Sequence, residues 1–207
     1  MRTIQKGSEP RSLTRHRKQK NASYDNYVDK DALRHVLVAE QFGLCCYCQS
    51  RIRATSDGMK IEHWQCQSDY PERQLDFSNM HGVCRGNEGK SIENQHCDTR
   101  KGNKELCFSL CDSNHPIERK IRFSSSGEMT SDDEEVNKSI NEVLNLNLGT
   151  LKENRKRALT GFLQGLGQGK IDCEKELSKW DGSLGAELPP FSQIVVHYLL
   201  KRLKRLP

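Results

Sequence analysis

The chain has 207 residues, 34% apolar and 6% aromatic, and 33 Lys/Arg against 28 Asp/Glu give a net charge of +5. That suits one domain, or a small catalytic core with appended helices, whose thin apolar interior a bound metal would help to hold. No run approaches the ~18 apolar residues of a membrane span, and the polar, basic start lacks the apolar stretch of a secretion signal, so a cytoplasmic chain with no membrane association is expected. Nine cysteines, an odd number, then point to metal binding and buried thiols rather than to disulfides.

Residues 1–28 read as a basic N-terminal arm. Positions 1–20 carry seven Lys/Arg against one Glu, and 1–24 have no apolar periodicity. Such a segment is expected to be extended, ordering only against something else, as a docking arm or a disordered leader. Asp29 to Phe42 predicts a helix capped by Asp29 or Asp31, with Leu33, Val36, Leu37 and Phe42 on its apolar side and Gly43 as its stop. Cys45 to Lys60 suits a knuckle followed by a hairpin, with Asp57-Gly58 as the turn. Met59 to Trp64 predicts a short strand and 65–74 a loop. Phe77 to Val83 begins another turn or short helix. Residues 85–95 form an exposed insertion, and 96–103 return toward the cysteines.

Further on, Ile121 to Phe123 is a candidate edge strand, followed by a turn at 124–127. Asp132 to Leu146 predicts a helix with an acidic first turn, and Leu151 to Leu166 another, ended by Gly165, Gly167 and Gly169. Residues 171–180 predict a short helix. After the Pro189-Pro190 break, Ser192 to Leu206 predict a last one, with a basic end. The organisation is an arm (1–28), a core (29–130) and a C-terminal helical region (131–207). The expected fold class is α+β, mostly helical.

Cys45-x-x-Cys48 is a thiolate pair spaced to reach one tetrahedral Zn2+. Cys84 and Cys97 are the favoured second pair, although twelve residues separate them, so 85–96 would loop out. Cys46 is an alternative to Cys45, Cys66 an alternative in the second half, and Cys107-x-x-x-Cys111 a further pair. Cys173 reads as a plain buried thiol.

Between these cysteines lie groups suited to phosphodiester hydrolysis, which needs a base, a divalent cation and a way to stabilise the leaving oxygen. His63 suits the base, because imidazole titrates near working pH. Glu62 offers oxygen to a hard cation such as Mg2+ or Mn2+, and Asp98 offers a second oxygen once the cysteines fold back. Asn79 would hold the backbone around His63. Arg100 and Lys101 would meet phosphate of a nucleic acid. Singly these signals are weak, since a lone Glu-His pair is more often solvated surface. In the order Cys-x-x-Cys, Glu-His, Asn, Cys, Cys-Asp-x-x-Lys-Gly they are strong.

That order, spanning 45–103, resembles the HNH (ββα-metal) endonucleases that carry a four-cysteine zinc site. Asn79 lies five residues before Cys84, and Cys97 is followed by Asp98-Thr99-Arg100-Lys101-Gly102. The resemblance implies a ββα-metal core with a zinc knuckle, His63 as general base, Glu62 and Asp98 as ligands of the catalytic ion, and Asn79 in a structural role. The chain departs from the pattern in two places. Asp98 stands where the family has His or Asn, and the Cys84–Cys97 gap is much longer than two residues. His96 is an alternative for the third motif position.

Met1 to Pro10, Ile61 to Trp64, Cys84 to Asn87, Val143 to Asn147 and Leu151 to Arg155 further resemble the PtuB nucleases of bacterial Septu-type antiphage defence, including those beside retrons. This likeness implies an ABC-type ATPase partner, PtuA, and in retron loci a reverse transcriptase with its RNA–DNA hybrid. The leading expectation is a defence nuclease held in check by its partner. An RNA-directed, tRNA-type nuclease and a non-catalytic zinc scaffold are the alternatives. A transcription factor is the poorest reading, because no helix clusters base-reading side chains.

Overall fold

The computed structural model describes residues 1–166, 171–185 and 187–204. In chain order the described elements are helices α1 (Arg11–Arg17) and α2 (Lys30–Glu40), strands β1 (Lys60–His63) and β2 (Met80–Val83), and helices α3 (Cys97–Lys101) and α4 (Ile117–Lys120). Strands β3 (Ile121–Phe123) and β4 (Met129–Ser131) follow, then helices α5 (Glu134–Lys138), α6 (Gly149–Gly165), α7 (Cys173–Trp180) and α8 (Ser192–Leu203). The class is α+β with two small antiparallel sheets, β1–β2 and β3–β4. None of the described helices is long and apolar enough to cross a membrane.

The arm is not extended. Met1, Ile4 and Leu13 are buried, Ile4 N–H donates to the Leu110 carbonyl at 2.7 Å, and 11–17 form α1. These three and Tyr27 are too few to make a periodic pattern, yet each fits a core built by other segments. The arm's charges are partly paired as well. Lys6 binds Glu40, donates to the Met80 carbonyl at 2.8 Å and lies over the Phe77 ring, while Arg17 binds Glu9.

Helix α2 starts where Asp29 accepts from the Ala32 N–H and buries Leu33 and Leu37. Phe42 and Gly43, with φ of 56° and 74°, end it, the Gly43 N–H returning to the Val38 carbonyl. The chain then pairs across the cysteine knuckle and turns again at Asp57-Gly58, where the Gly58 N–H returns to the Thr55 carbonyl. Leu44 bridges to Arg51, Cys45 N–H bonds the Ser50 carbonyl, and Gln49 takes φ 66°. Strand β1 then pairs with β2, with Glu62 opposite His81 and His63 opposite Met80. Gln41, buried at the end of α2, exchanges two side-chain hydrogen bonds with the Gly82 backbone and so fixes β2 against the helix.

The helix expected over 132–146 holds its α form only to Lys138. Residues 139–143 widen into a π turn and Asn145 takes φ 49°. The widening aims the Leu144 carbonyl at the Cys97 N–H (2.9 Å), and Asn145 donates to the carbonyls of Glu93 and Gln95. Arg155, buried in α6, donates to the carbonyls of Gly127 (2.5 Å) and Leu146 (2.8 Å) and to Asn147 Oδ1. These side chains satisfy irregular buried backbone that no ladder could satisfy.

Residues from Met1 to Leu151 share one apolar cluster. Leu159, Phe162, Cys173, Ile194, Val195 and Leu199 form a second, among α6, α7 and α8. The second cluster is fastened to the knuckle, because Gln49 accepts from the N–H groups of Phe191 and Gln193. Gly167, Gly169 and Leu206, expected at helix ends, lie outside the described residues.

Two glycines separate backbone need from chance. A Cβ at Gly127 (φ 82°) would sit 2.1 Å from the Lys152 carbonyl oxygen, whereas one at Gly161, inside α6, would meet nothing. Gly127→Ala is therefore expected to lower the unfolding free energy by ~2 kcal/mol or more. Gly161→Ala should raise it by up to ~1 kcal/mol. Urea titration of both variants checks the opposite signs.

Candidate functional site

The ligand atoms of Cys45, Cys48, Cys84 and Cys97 all lie within 4.8 Å of one another. Cys45 and Cys97 sulfurs are 3.9 Å apart, and those of Cys48 and Cys84 are 3.6 Å apart. A tetrahedron with ~2.3 Å bonds has edges of ~3.8 Å, so the four sulfurs fit Zn2+ as they stand. Burial pushes the Cys45 thiol up, but sulfur hydrogen bonds from its neighbours pull it well below the ordinary range, while burial and the same neighbours drive Cys97 up. Thiols crowded in this way become four thiolates only around a cation.

The long 85–96 segment does loop out, with Ile92 exposed at its tip. The alternatives fall away: Cys46 and Cys66 lie outside the cluster, Cys107 sits by Ser139 and Cys111 by the Ser78 carbonyl. Cys173 is a buried thiol, as expected. His96 belongs to this centre and not to the third motif position, for its Nδ1 is 3.1 Å from Cys97 Sγ.

Glu62, His63 and Asp98 line one cavity of about 260 Å³ beside this centre. Glu62 and His63 end β1, and Asp98 follows Cys97 in the first turn of α3. Glu62 is buried and receives hydrogen bonds on Oε1 from Tyr47 (2.8 Å) and Lys101 (2.9 Å). Burial and the adjoining Asp98 carboxylate push Glu62 well above the usual carboxylate range, against the pull of Lys101. Burial acts on Asp98 too, but hydrogen bonds from Glu62 and Lys60 (2.6 Å) bring it below its ordinary value. The two carboxyl groups are thus driven in opposite directions, Glu62 up and Asp98 down.

His63 Nε2 is 2.9 Å from the Gln74 carbonyl oxygen. A carbonyl can only accept, which assigns the ring proton to Nε2 and leaves Nδ1 as the basic atom. Burial lowers the His63 pKa and favours the neutral ring. Asn79, fully buried, accepts from the Gln65 N–H (2.8 Å) and donates to the carbonyls of Gln65 and Arg73. It therefore ties the backbone after His63 to the turn at Arg73.

Two placements differ from expectation. Lys101 is not a surface cation: its side chain is 1% exposed and it neutralises Glu62. Arg100 donates to the Ile92 carbonyl and braces the insertion. Their place after the cysteine motif points to phosphate, but Lys101 lies on the side of α3 buried against β1, and Arg100 lies against the insertion.

Other residues went unforeseen. Lys60, two positions before Glu62 on a strand, shares its face, and that spacing was a usable signal. Tyr47 carried no signal inside the knuckle. Tyr24, from the arm, packs edge-on against His63 (4.5 Å between centroids) beneath Lys30, and its N–H binds the Gln74 side chain. No periodicity linked it to the site. The sequence matches no family model and no curated protein.

Two outcomes follow. Purified chain should carry one zinc, and Cys48→Ala should lose it with a large fall in melting temperature, while Cys46→Ala keeps it; elemental analysis with thermal melts decides. His81, opposite Glu62, is buried with its pKa lowered to about 3 by burial and by Lys6. The unfolded chain takes up this proton below ~6.5, whereas the folded chain stays neutral, so stability is lost as pH falls from ~6.5 toward 3. His81→Leu should remove on the order of 4 kcal/mol of that acid dependence, read by denaturant titration against pH.

Proposed function

We propose that this chain is a metal-dependent endonuclease of the ββα-metal (HNH) type, hydrolysing phosphodiester bonds in DNA or RNA. The observation that carries this reading is the convergence of His63, Glu62 and Asp98 on one cavity, with His63 held in the tautomer that leaves Nδ1 basic. The antiparallel β1–β2 pair followed by α3, tied by four cysteines, supports it.

In this reading His63 takes the proton of the attacking water, and the Gln74 carbonyl and Asn79 keep the ring aligned. Glu62 and Asp98 offer the oxygen-rich donor set of a hard cation such as Mg2+ or Mn2+, and Lys60, at the outer end, is the counter-charge that such an ion would replace. When bound, the ion would neutralise charge on the phosphoryl group. Lys101 stays with Glu62. The likeness of several segments to PtuB supports a role in antiphage defence with an ABC-type ATPase, PtuA, and in retron settings a reverse transcriptase and its hybrid.

A second reading, a zinc scaffold without catalysis, is favoured by one feature. Lys101 and Lys60 already pair with both carboxylates. The test is cleavage of plasmid, phage DNA and total RNA by the full chain with its ATPase, with and without Mg2+ or Mn2+. Metal-dependent cutting should fall ~10²–10⁴-fold in His63→Ala. Equal cutting by the variant, or none by either, favours the scaffold.

A further inference from the structure

We propose that the groove between β3 and α8 docks an acidic segment of a partner protein, an extended stretch that alternates carboxylates with apolar side chains. The groove encloses about 710 Å³ and shares no lining residue with the His63 cavity. Its rim carries Arg119, Arg122, Lys201 and Lys204, all exposed. The acids nearby do not answer this charge. Glu118, which also lines the groove, accepts from the Thr3 N–H and hydroxyl and makes no ion pair with the four, and Asp132 reaches only Arg122, at 3.5 Å. Among the described residues no other carboxylate pairs with these four cations. Four like charges along one groove repel one another until a polyanionic partner arrives.

The floor selects the kind of polyanion. Ile121, Val196 and the edge-on pair Phe123–His197 line it, and Leu200, 43% exposed, stands at its side. A nucleic-acid backbone asks for polar donors along its whole track and gains little from such a floor. A peptide with apolar anchors gains from both parts.

The groove also contains a strand edge. Among the described residues β3 pairs with β4 alone, so its other edge has no strand partner. Arg122 folds back on the carbonyls of Arg119 and Ile121, an exposed cap that an incoming strand can replace. Strand addition supplies backbone hydrogen bonds, and alternate side chains then point to the floor and to the basic rim. This inference is independent of the catalytic reading.

The test selects binders for the zinc-loaded full chain from a display library of short random peptides and measures the best by fluorescence anisotropy. The selected sequences should alternate Asp/Glu with apolar residues and bind less tightly as salt rises. Lys201→Glu and Leu200→Ala, both at exposed positions, should each weaken them about tenfold while the melting temperature stays that of the wild type. Three results would overturn the proposal. The selected peptides could be indifferent to both variants. A single-stranded oligonucleotide could bind where no peptide does, with Lys201→Glu abolishing it. Sedimentation could reveal a dimer that Lys201→Glu dissolves, which makes a second copy, through its acidic 131–135 stretch, the occupant.

Discussion

Four sulfurs within bonding distance of one cation are the constraint on which the rest of the structure depends. Cys45 and Cys48 sit on a knuckle, Cys84 just after β2, and Cys97 at the head of α3. The Cys46 N–H to Gly82 carbonyl bond joins the knuckle to β2, and the sulfur quartet brings in α3. Like-charged thiolates at this separation drive the segments apart unless a dication holds them. With the ion in place, β1, β2 and α3 would keep a fixed relation, and the long 85–96 insertion projects between pinned ends, braced by Arg100 and Asn145. The second layer of support is polar: His96 against the sulfurs, the Leu144 carbonyl on the Cys97 N–H, and Arg155 behind the 144–147 backbone.

That frame sets the electrostatics of the adjoining cavity. Two carboxyl groups in contact, both largely buried, cannot both be charged without nearby cations. Lys101 and Lys60 supply them from opposite sides, one sealed inside and the other at the surface end. The arrangement is balanced without a metal, yet one of its two cations sits where exchange is easy. His63 stands apart from this network, its proton assigned by a backbone carbonyl and one side of its ring covered by Tyr24. The arm reaches the cavity through Tyr24, so its folding and the setting of His63 are linked.

Much of this was legible in the sequence. Asp29, the four-residue spacing of Leu33 and Leu37, and the stop at Gly43 specify α2 locally, and the structure agrees with them, whereas Phe42, expected on the apolar side, lies beyond the helix end at φ 56°. The cysteine quartet was legible because spacing limits which thiols can meet, even across an insertion. Asn79 and the Glu62-His63-Asp98 grouping came from motif order. The arm was not legible, because Met1, Ile4 and Leu13 are buried by surfaces made elsewhere and leave no periodic trace. Nor was the burial of Lys101, since a position next to a motif does not reveal which side of a one-turn helix faces the core. The π turn at 139–143 answers the Cys97 N–H, a tertiary demand that overrides the helical propensity of the segment.

The central claim is that Glu62 and Asp98 take a divalent ion beside, and distinct from, the cysteine-bound zinc. The most direct measurement is anomalous diffraction from crystals of the chain grown with Mn2+, collected above and below the manganese and zinc edges. The account predicts zinc among Cys45, Cys48, Cys84 and Cys97, manganese between the Glu62 and Asp98 carboxylates, and Lys60 displaced. A zinc signal alone, with Lys60 and Lys101 still paired to both carboxylates at saturating Mn2+, would contradict it.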